Sequence, residues 1–214
     1  MSDTHLRQPK QSRSRRTLQR ITQAALELIA EKGVEGTTIS AIVRRADSSV
    51  GSFYARFEGK DDLLIYLDEC IWETAEERWN EATELSWGDR AIPEVVSGLA
   101  KLYAELELMH RAARDALAQA LRGAGAGPSE AAVRFKAKVL ESSRRLLLDR
   151  SAAINHASPD LAVDTTCRSL EACALSLDPA VMTDLCAALV RHLTGGHPSA
   201  QPSESDVEFF DVWG

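Results

Sequence analysis

No stretch of this sequence approaches the roughly 20 consecutive apolar residues that a bilayer-spanning helix needs, because its apolar residues come in short clusters broken by charge. No membrane span is expected. The four cysteines, Cys70, Cys167, Cys173 and Cys186, form no Cys-x-x-Cys pair, and their gaps match no common zinc-ligand spacing. They read as small buried hydrophobes or, alternatively, as a redox sensor. His-Glu-x-x-His, Gly-x-Ser-x-Gly, Gly-x-Gly-x-x-Gly and P-loop patterns are also lacking, and the histidines, at 5, 110, 156, 192 and 197, are scattered. Neither a catalytic residue, a metal site nor a cofactor is expected. The opening MSDTHLRQPKQSRSRR has no apolar core of the kind a secretory signal carries, so the expected compartment is the cytoplasm.

What is present is a globular composition: 214 residues, 44% hydrophobic and 27% charged, enough for a small domain followed by a larger one. The net charge of -7 argues against a nucleic-acid partner, but its distribution argues for one. Residues 1–60 hold eleven Lys/Arg against six Asp/Glu, a net of +5, which leaves -12 for the other 154 residues. Between Arg7 and Arg20 there are six cations and no acid, a density suited to following phosphates, although a solvated tail would look the same.

The segment after this arm predicts three short helices. Leu18, Ile21, Ala25, Leu28 and Ile29 recur at helical spacing and stop at Gly33 and Gly36. Thr37-Thr38 offers an N-cap to a second stripe of Ile39, Ile42, Val43 and Ala46. Asp47-Ser48-Ser49 then reads as a tight turn, with Ser49 capping a third stretch over residues 50–57 that is too short to be stable alone. Two short helices joined by a tight turn and backed by a longer one follow the helix-turn-helix plan, whose second member enters the major groove. Phe53 and Phe57, four apart, are expected to pack inward, leaving small Val50, Gly51 and Ser52 to approach base edges. Tyr54, Arg56 and Lys60 are placed to reach phosphates, the Tyr54 hydroxyl meeting either a phosphate or water. Arg44 and Arg45 read as a solvated face favourable to the helix dipole.

Residues 24–64, AALELIAEKGVEGTTISAIVRRADSSVGSFYARFEGKDDLL, closely resemble the tetracycline-repressor (TetR) family. The resemblance lies in Lys32-Gly33, Thr37-Thr38, Phe53-Tyr54, Phe57 and Lys60-Asp61-Asp62-Leu63-Leu64. It implies DNA contacts from Thr38, Ser40, Ser49, Val50, Gly51, Ser52, Tyr54, Arg56 and Lys60. Two positions depart from the family's habit: Asp47 stands where Gly is frequent in the turn, and Val50 where a Lys or polar group is frequent. Beyond Tyr66 the likeness is architectural only.

The expected fold class is therefore all-α: a basic disordered arm over 1–13, a helix-turn-helix domain over 14–60, a larger helical domain over 61–195 and an acidic tail over 196–214. Asp61-Asp62 opens a long linking helix, and the resemblance implies that its tilt transmits ligand occupancy to the reader. Aromatics are only 6% of the chain, so Trp72, Trp79 and Trp87 stand out within sixteen positions, with Tyr103, Met109 and His110 following. Trp72, Trp79, Tyr103, Met109 and His110 are consistent both with ordinary core and with the wall of an apolar pocket for an unknown small-molecule effector. Further helices are expected over about 111–121, 129–150, 160–176 and 179–193. Leu170, Ala174 and Leu177, with Val181, Leu185, Ala188 and Leu189, form stripes on the last two, suited to pairing as a four-helix bundle in a homodimer. The family implies the same interface.

Three functions compete. A dimeric, ligand-responsive repressor on a pseudo-palindromic double-stranded operator, nucleoid-associated when bound, accounts for both the arm and the third helix. A motif-free helical enzyme has no recognisable site. A helical protein-interaction module keeping the fold without DNA binding would be expected to expose apolar anchors where the third helix instead carries small residues.

Overall fold

The computed structural model describes residues 10–84, 87–174 and 178–195. Within them every regular element is helical: α1 (Lys10–Lys32), α2 (Ile39–Arg45), α3 (Val50–Tyr54), α4 (Lys60–Glu84), α5 (Ile92–Leu108), α6 (Arg111–Gly123), α7 (Glu130–Leu148), a 3-10 turn at Ser151–Ala153, α8 (Pro159–Ala174) and α9 (Pro179–Thr194). The all-α architecture is as expected. Helix α1 starts at Lys10, so residues 10–13, expected in the arm, are helical. Among the described residues no helix is long and apolar enough to cross a membrane. Residues 1–9 of the arm, the tail beyond Gly195 and Leu177 lie outside the described residues.

The chain forms two compact units, and they do not follow one another in sequence. Among the described residues, the first unit lies within 1–74 and 110–133 and the second within 75–109 and 134–214. Helix α4 thus contributes its first part to one unit and its remainder to the other.

In the first unit the local signals do what their chemistry predicts. Gly33, at φ +70°, ends α1 in the left-handed conformation that costs a side chain most. The Thr38 hydroxyl accepts from the Ala41 amide at 3.2 Å and Ser49 Oγ accepts from the Ser52 amide at 3.1 Å, satisfying N–H groups that helices too short to hold themselves would otherwise expose. Between them Asp47 turns the chain at φ +45°. The core is Ile21, Ala25, Leu28 and Ile29 of α1, Ile42 and Val43 of α2, Phe53 of α3, Phe57, and Leu63, Leu67 and Ile71 of α4, with Ala113 and Leu117 of α6 closing it. Helix α6 packs directly on α1.

The second unit packs α5 against α8 and α9. Pro93 sits in the first turn of α5, and the Glu94 carboxylate accepts from the Ala91 amide at 2.8 Å. The outer end of the Trp87 indole lies against Gly98, where a β-carbon would come within 2.8 Å of the ring, so that glycine is set by close approach. Leu99, Leu147, Leu170 and Leu193 are fully buried, together with Val163 and Cys167.

Candidate nucleic-acid interface

Helix α3 divides its few side chains by chemistry. Phe53 is fully buried and its ring meets that of Phe57 at 5.4 Å, which anchors the helix. Val50 is 48% and Tyr54 55% exposed, and Gly51 faces solvent beside them. A β-carbon at Gly51 would meet nothing nearer than the Ser49 hydroxyl at 3.9 Å, so no contact inside the chain demands glycine there. The outward surface of α3 is therefore low, and a groove floor can come close to it.

Around α3, Thr38 and Ser40 are exposed at the start of α2. Ser49 and Ser52 bring their hydroxyls to 2.9 Å, so each still has capacity for an outside partner. Arg13, Arg15 and Arg44 are exposed as well, which gives this unit a cationic surface.

Several other cations are engaged by partners within the chain. Arg56 donates to the Ser52 carbonyl at 2.6 Å and to Ser14, at its carbonyl and its hydroxyl. Lys60 donates to the Val34 carbonyl at 2.6 Å, tying the start of α4 to the loop after α1. Arg45 forks onto Glu31 at 2.6 and 2.9 Å, and that hydrogen bond holds the Glu31 carboxyl below the usual carboxylate range. Arg45 is exposed, as the sequence suggested, and in addition links α2 to α1. Arg20 approaches Asp47 at 3.4 Å across open surface. Nothing in the sequence marked Ser14 as the partner of Arg56, because the two stand 42 positions apart.

The expected pocket residues fall in different units. Trp72 and His110 belong to the first and Trp79, Tyr103 and Met109 to the second. Trp72 packs under the Arg114 guanidinium at 5.9 Å, a cation–π contact that keeps it within the first unit's structure. His110 is exposed and takes φ +52° at the junction of α5 and α6. Trp79 and Tyr103 do meet, edge to face at 5.8 Å, both buried. Each leans on a neighbouring serine of α7 that sequence reasoning missed: Trp79 Nε1 donates to Ser142 Oγ at 2.8 Å, and Tyr103 Oη lies 3.2 Å from Ser143 Oγ. The result is an apolar core with a short polar seam. Met109 is half-buried at the end of α5.

Of the expected interface residues, Leu170, Ala174 and Leu189 are buried within their own unit. A side chain already covered by its own chain has little surface left for a second copy. Val181 and Ala188 are exposed and Leu185 is half-buried, so the open part of the stripe is on α9. Leu161 of α8, 62% exposed, is a large apolar residue of this unit that the stripe did not include.

Comparison with known proteins agrees with this geometry. Residues 21–67 match the family model described as bacterial regulatory proteins, tetR family. An uncharacterized HTH-type transcriptional regulator of Bacillus subtilis, YvdT, is 41% identical over 63 residues; the match spans 29% of this chain and 31% of that protein. A TetR transcription regulatory protein from Mycobacterium vanbaalenii superposes with a TM-score of 0.61 at 20% identity, over 84% of this chain and 98% of its own. A gamma-butyrolactone receptor, described as ArpA-like, gives 0.58 at 22% identity over 92% and 94%. At such identities the solved structures speak for the fold alone, and the sequence match is confined to the segment from α1 to the start of α4. Residues 21–67 are thus similar to the tetR family of bacterial regulatory proteins, and the helical fold is one that solved tetR-family proteins share.

Proposed function

We propose that this protein is a transcriptional repressor that binds a pseudo-palindromic duplex operator as a homodimer and releases it when a small molecule occupies the second unit. The observation that carries the reading is the division of α3, with Phe53 fully buried while Val50 and Tyr54 are about half exposed on either side of Gly51. A helix built this way is anchored from behind and open in front. Exposed arginines of α1 and α2 supply the sequence-independent attraction, while the small outer residues of α3 read base edges. In a twofold dimer the two copies of α3 would stand about 34–36 Å apart, one turn of duplex.

The effector reading is supported by the Trp79, Tyr103, Ser142 and Ser143 cluster, which joins large apolar faces to a few placed polar atoms. It is also supported at the level of the fold by the neighbour described as a gamma-butyrolactone receptor. Release requires the small molecule to bind the non-gripping arrangement better than the gripping one, by a coupling of about 1–3 kcal/mol.

The test is selection of duplex fragments by the purified protein, followed by binding measurements across salt. Affinity is expected to fall with log salt at a slope of about -0.9 per neutralised phosphate, and Tyr54→Ala to weaken the selected duplex about tenfold or more with helicity unchanged. Failure to retain any duplex at low ionic strength would remove the reading.

A further inference from the structure

Arg56 stands just past α3, and its guanidinium joins that helix to the beginning of α1. One terminal nitrogen donates to the Ser52 carbonyl at 2.6 Å; the other donates to the Ser14 carbonyl at 3.2 Å and the Ser14 hydroxyl at 3.0 Å. The backbone amides of Ala55, Arg56 and Phe57 go to the carbonyls of Gly51 and Phe53, so the Ser52 carbonyl takes its hydrogen bond from the Arg56 side chain. A helix as short as α3 leaves such end groups open, and a planar, permanently charged fork is well suited to close one while holding a second element. Ser14 lies in the stretch of α1 that carries Arg13, Arg15, Arg16 and Arg20.

We propose that Arg56 is a positioning residue for sequence recognition: it fixes α3 and the cationic start of α1 in one frame, and acts on binding through that geometry rather than by neutralising a phosphate. The proposal rests on the reading of α3 as the element that meets base edges. The two roles leave different traces. A phosphate ligand, when removed, weakens binding to all duplexes alike and lowers the salt slope by about one. Loss of a brace lets α3 drift relative to the arginines of α1, so discrimination is lost while the sequence-independent attraction stays.

The experiment compares wild type, Arg56→Ala, Arg56→Lys, Ser14→Ala and the double variant Ser14→Ala/Arg56→Ala on two probes, across a salt series. One probe is the duplex that wild type enriches from a randomised library; the other is poly(dI-dC). Arg56→Ala is expected to bind the enriched duplex about tenfold more weakly and poly(dI-dC) within about twofold of wild type, with both salt slopes unchanged. Ser14→Ala should show a smaller loss of the same selective kind, and the double variant no more than Arg56→Ala alone, since both remove one connection. Arg56→Lys should recover only part, because an ammonium cannot serve both elements at once. Equal weakening on both probes, a slope lower by about 0.9, or unaltered selectivity would each overturn the proposal. Should Arg56→Ala lose its helical signal, Ser14→Ala and Arg56→Lys carry the same comparison. If wild type itself enriches no duplex, the operator reading fails instead, and that outcome is distinct from all of these.

Discussion

Asp47 shows how much a single backbone angle decides. It holds φ +45° between α2 and α3, a conformation that disfavours side chains branched at the β-carbon most and glycine least. Aspartate is among the residues that tolerate it, and the Asp47 side chain is 99% exposed, so its approach to Arg20 at 3.4 Å adds little. Asp47→Gly is therefore expected to match or slightly exceed wild type in stability, whereas Asp47→Val should cost more than about 1 kcal/mol, both read from urea denaturation midpoints. Equal stability of the two variants would contradict the left-handed turn. The turn itself was legible from Asp47-Ser48-Ser49, since those residues carry their preference locally. The partners of Arg56 and Lys60 were not, because Ser14 and Val34 come near them only once α1 has folded back. Both cations read from sequence as phosphate contacts, and in the structure both hold backbone carbonyls.

Helix α3 is too short to persist by its own hydrogen bonds. Three attachments hold it: the Ser49 cap at its start, the Arg56 fork at its end and Phe53 in the core between them. Ser49→Ala removes the first and is expected to destabilise the protein by about 1 kcal/mol; Thr38→Ala, at the start of α2, should cost a similar amount. Ser49→Gly should cost only a few tenths of a kcal/mol, since glycine leaves the amide open to water. A thermal melt of the three variants checks the order, and an equal effect of Ala and Gly at Ser49 would deny the cap its role. Caps and stripes made these elements readable along the chain, down to Pro93 in α5 and Asp178 before α9, whose carboxylate accepts from the Ala180 amide at 2.9 Å. Which face of a helix looks inward was harder to read. Leu170 and Leu189 share their helices with exposed Leu161 and Val181, and periodicity alone does not say which apolar side meets the core and which meets solvent. The recruitment of α6 into the first unit was equally hidden, because Ala113 and Leu117 mark a stripe but not the partner it covers.

At the scale of the whole molecule, two cysteines and one exposed helix face make opposite kinds of prediction. Cys167 and Cys186 are both buried in the second unit, and burial pushes each thiol up to about 11. With a folded pKa above the unfolded one, the native state binds more protons between roughly pH 8.5 and 11, so stability is intact below that window and declines as pH rises through it. Urea unfolding at pH 8 and pH 10.5 should show the loss, and Cys167→Ala/Cys186→Ala should lessen it, although the variant starts less stable and burial also raises Cys70, Tyr66 and Tyr103. The reading of all four cysteines as small hydrophobes fits these two sites, because a protonated buried thiol is a poor nucleophile. The face of α9 that carries Val181 and Ala188 concerns assembly instead. If a second copy covers it, Val181→Glu or Ala188→Glu places a charge in an apolar contact without disturbing the core of either chain. Sedimentation is then expected to shift from two chains to one, and the Tm to lose its dependence on protein concentration. Leu170→Ala serves as the contrast: its fully buried side chain should lower stability by about 2–5 kcal/mol while the folded fraction keeps its assembly state. A variant at Val181 that stays dimeric would move the twofold axis elsewhere on the molecule, and with it the spacing at which two copies of α3 could meet one duplex.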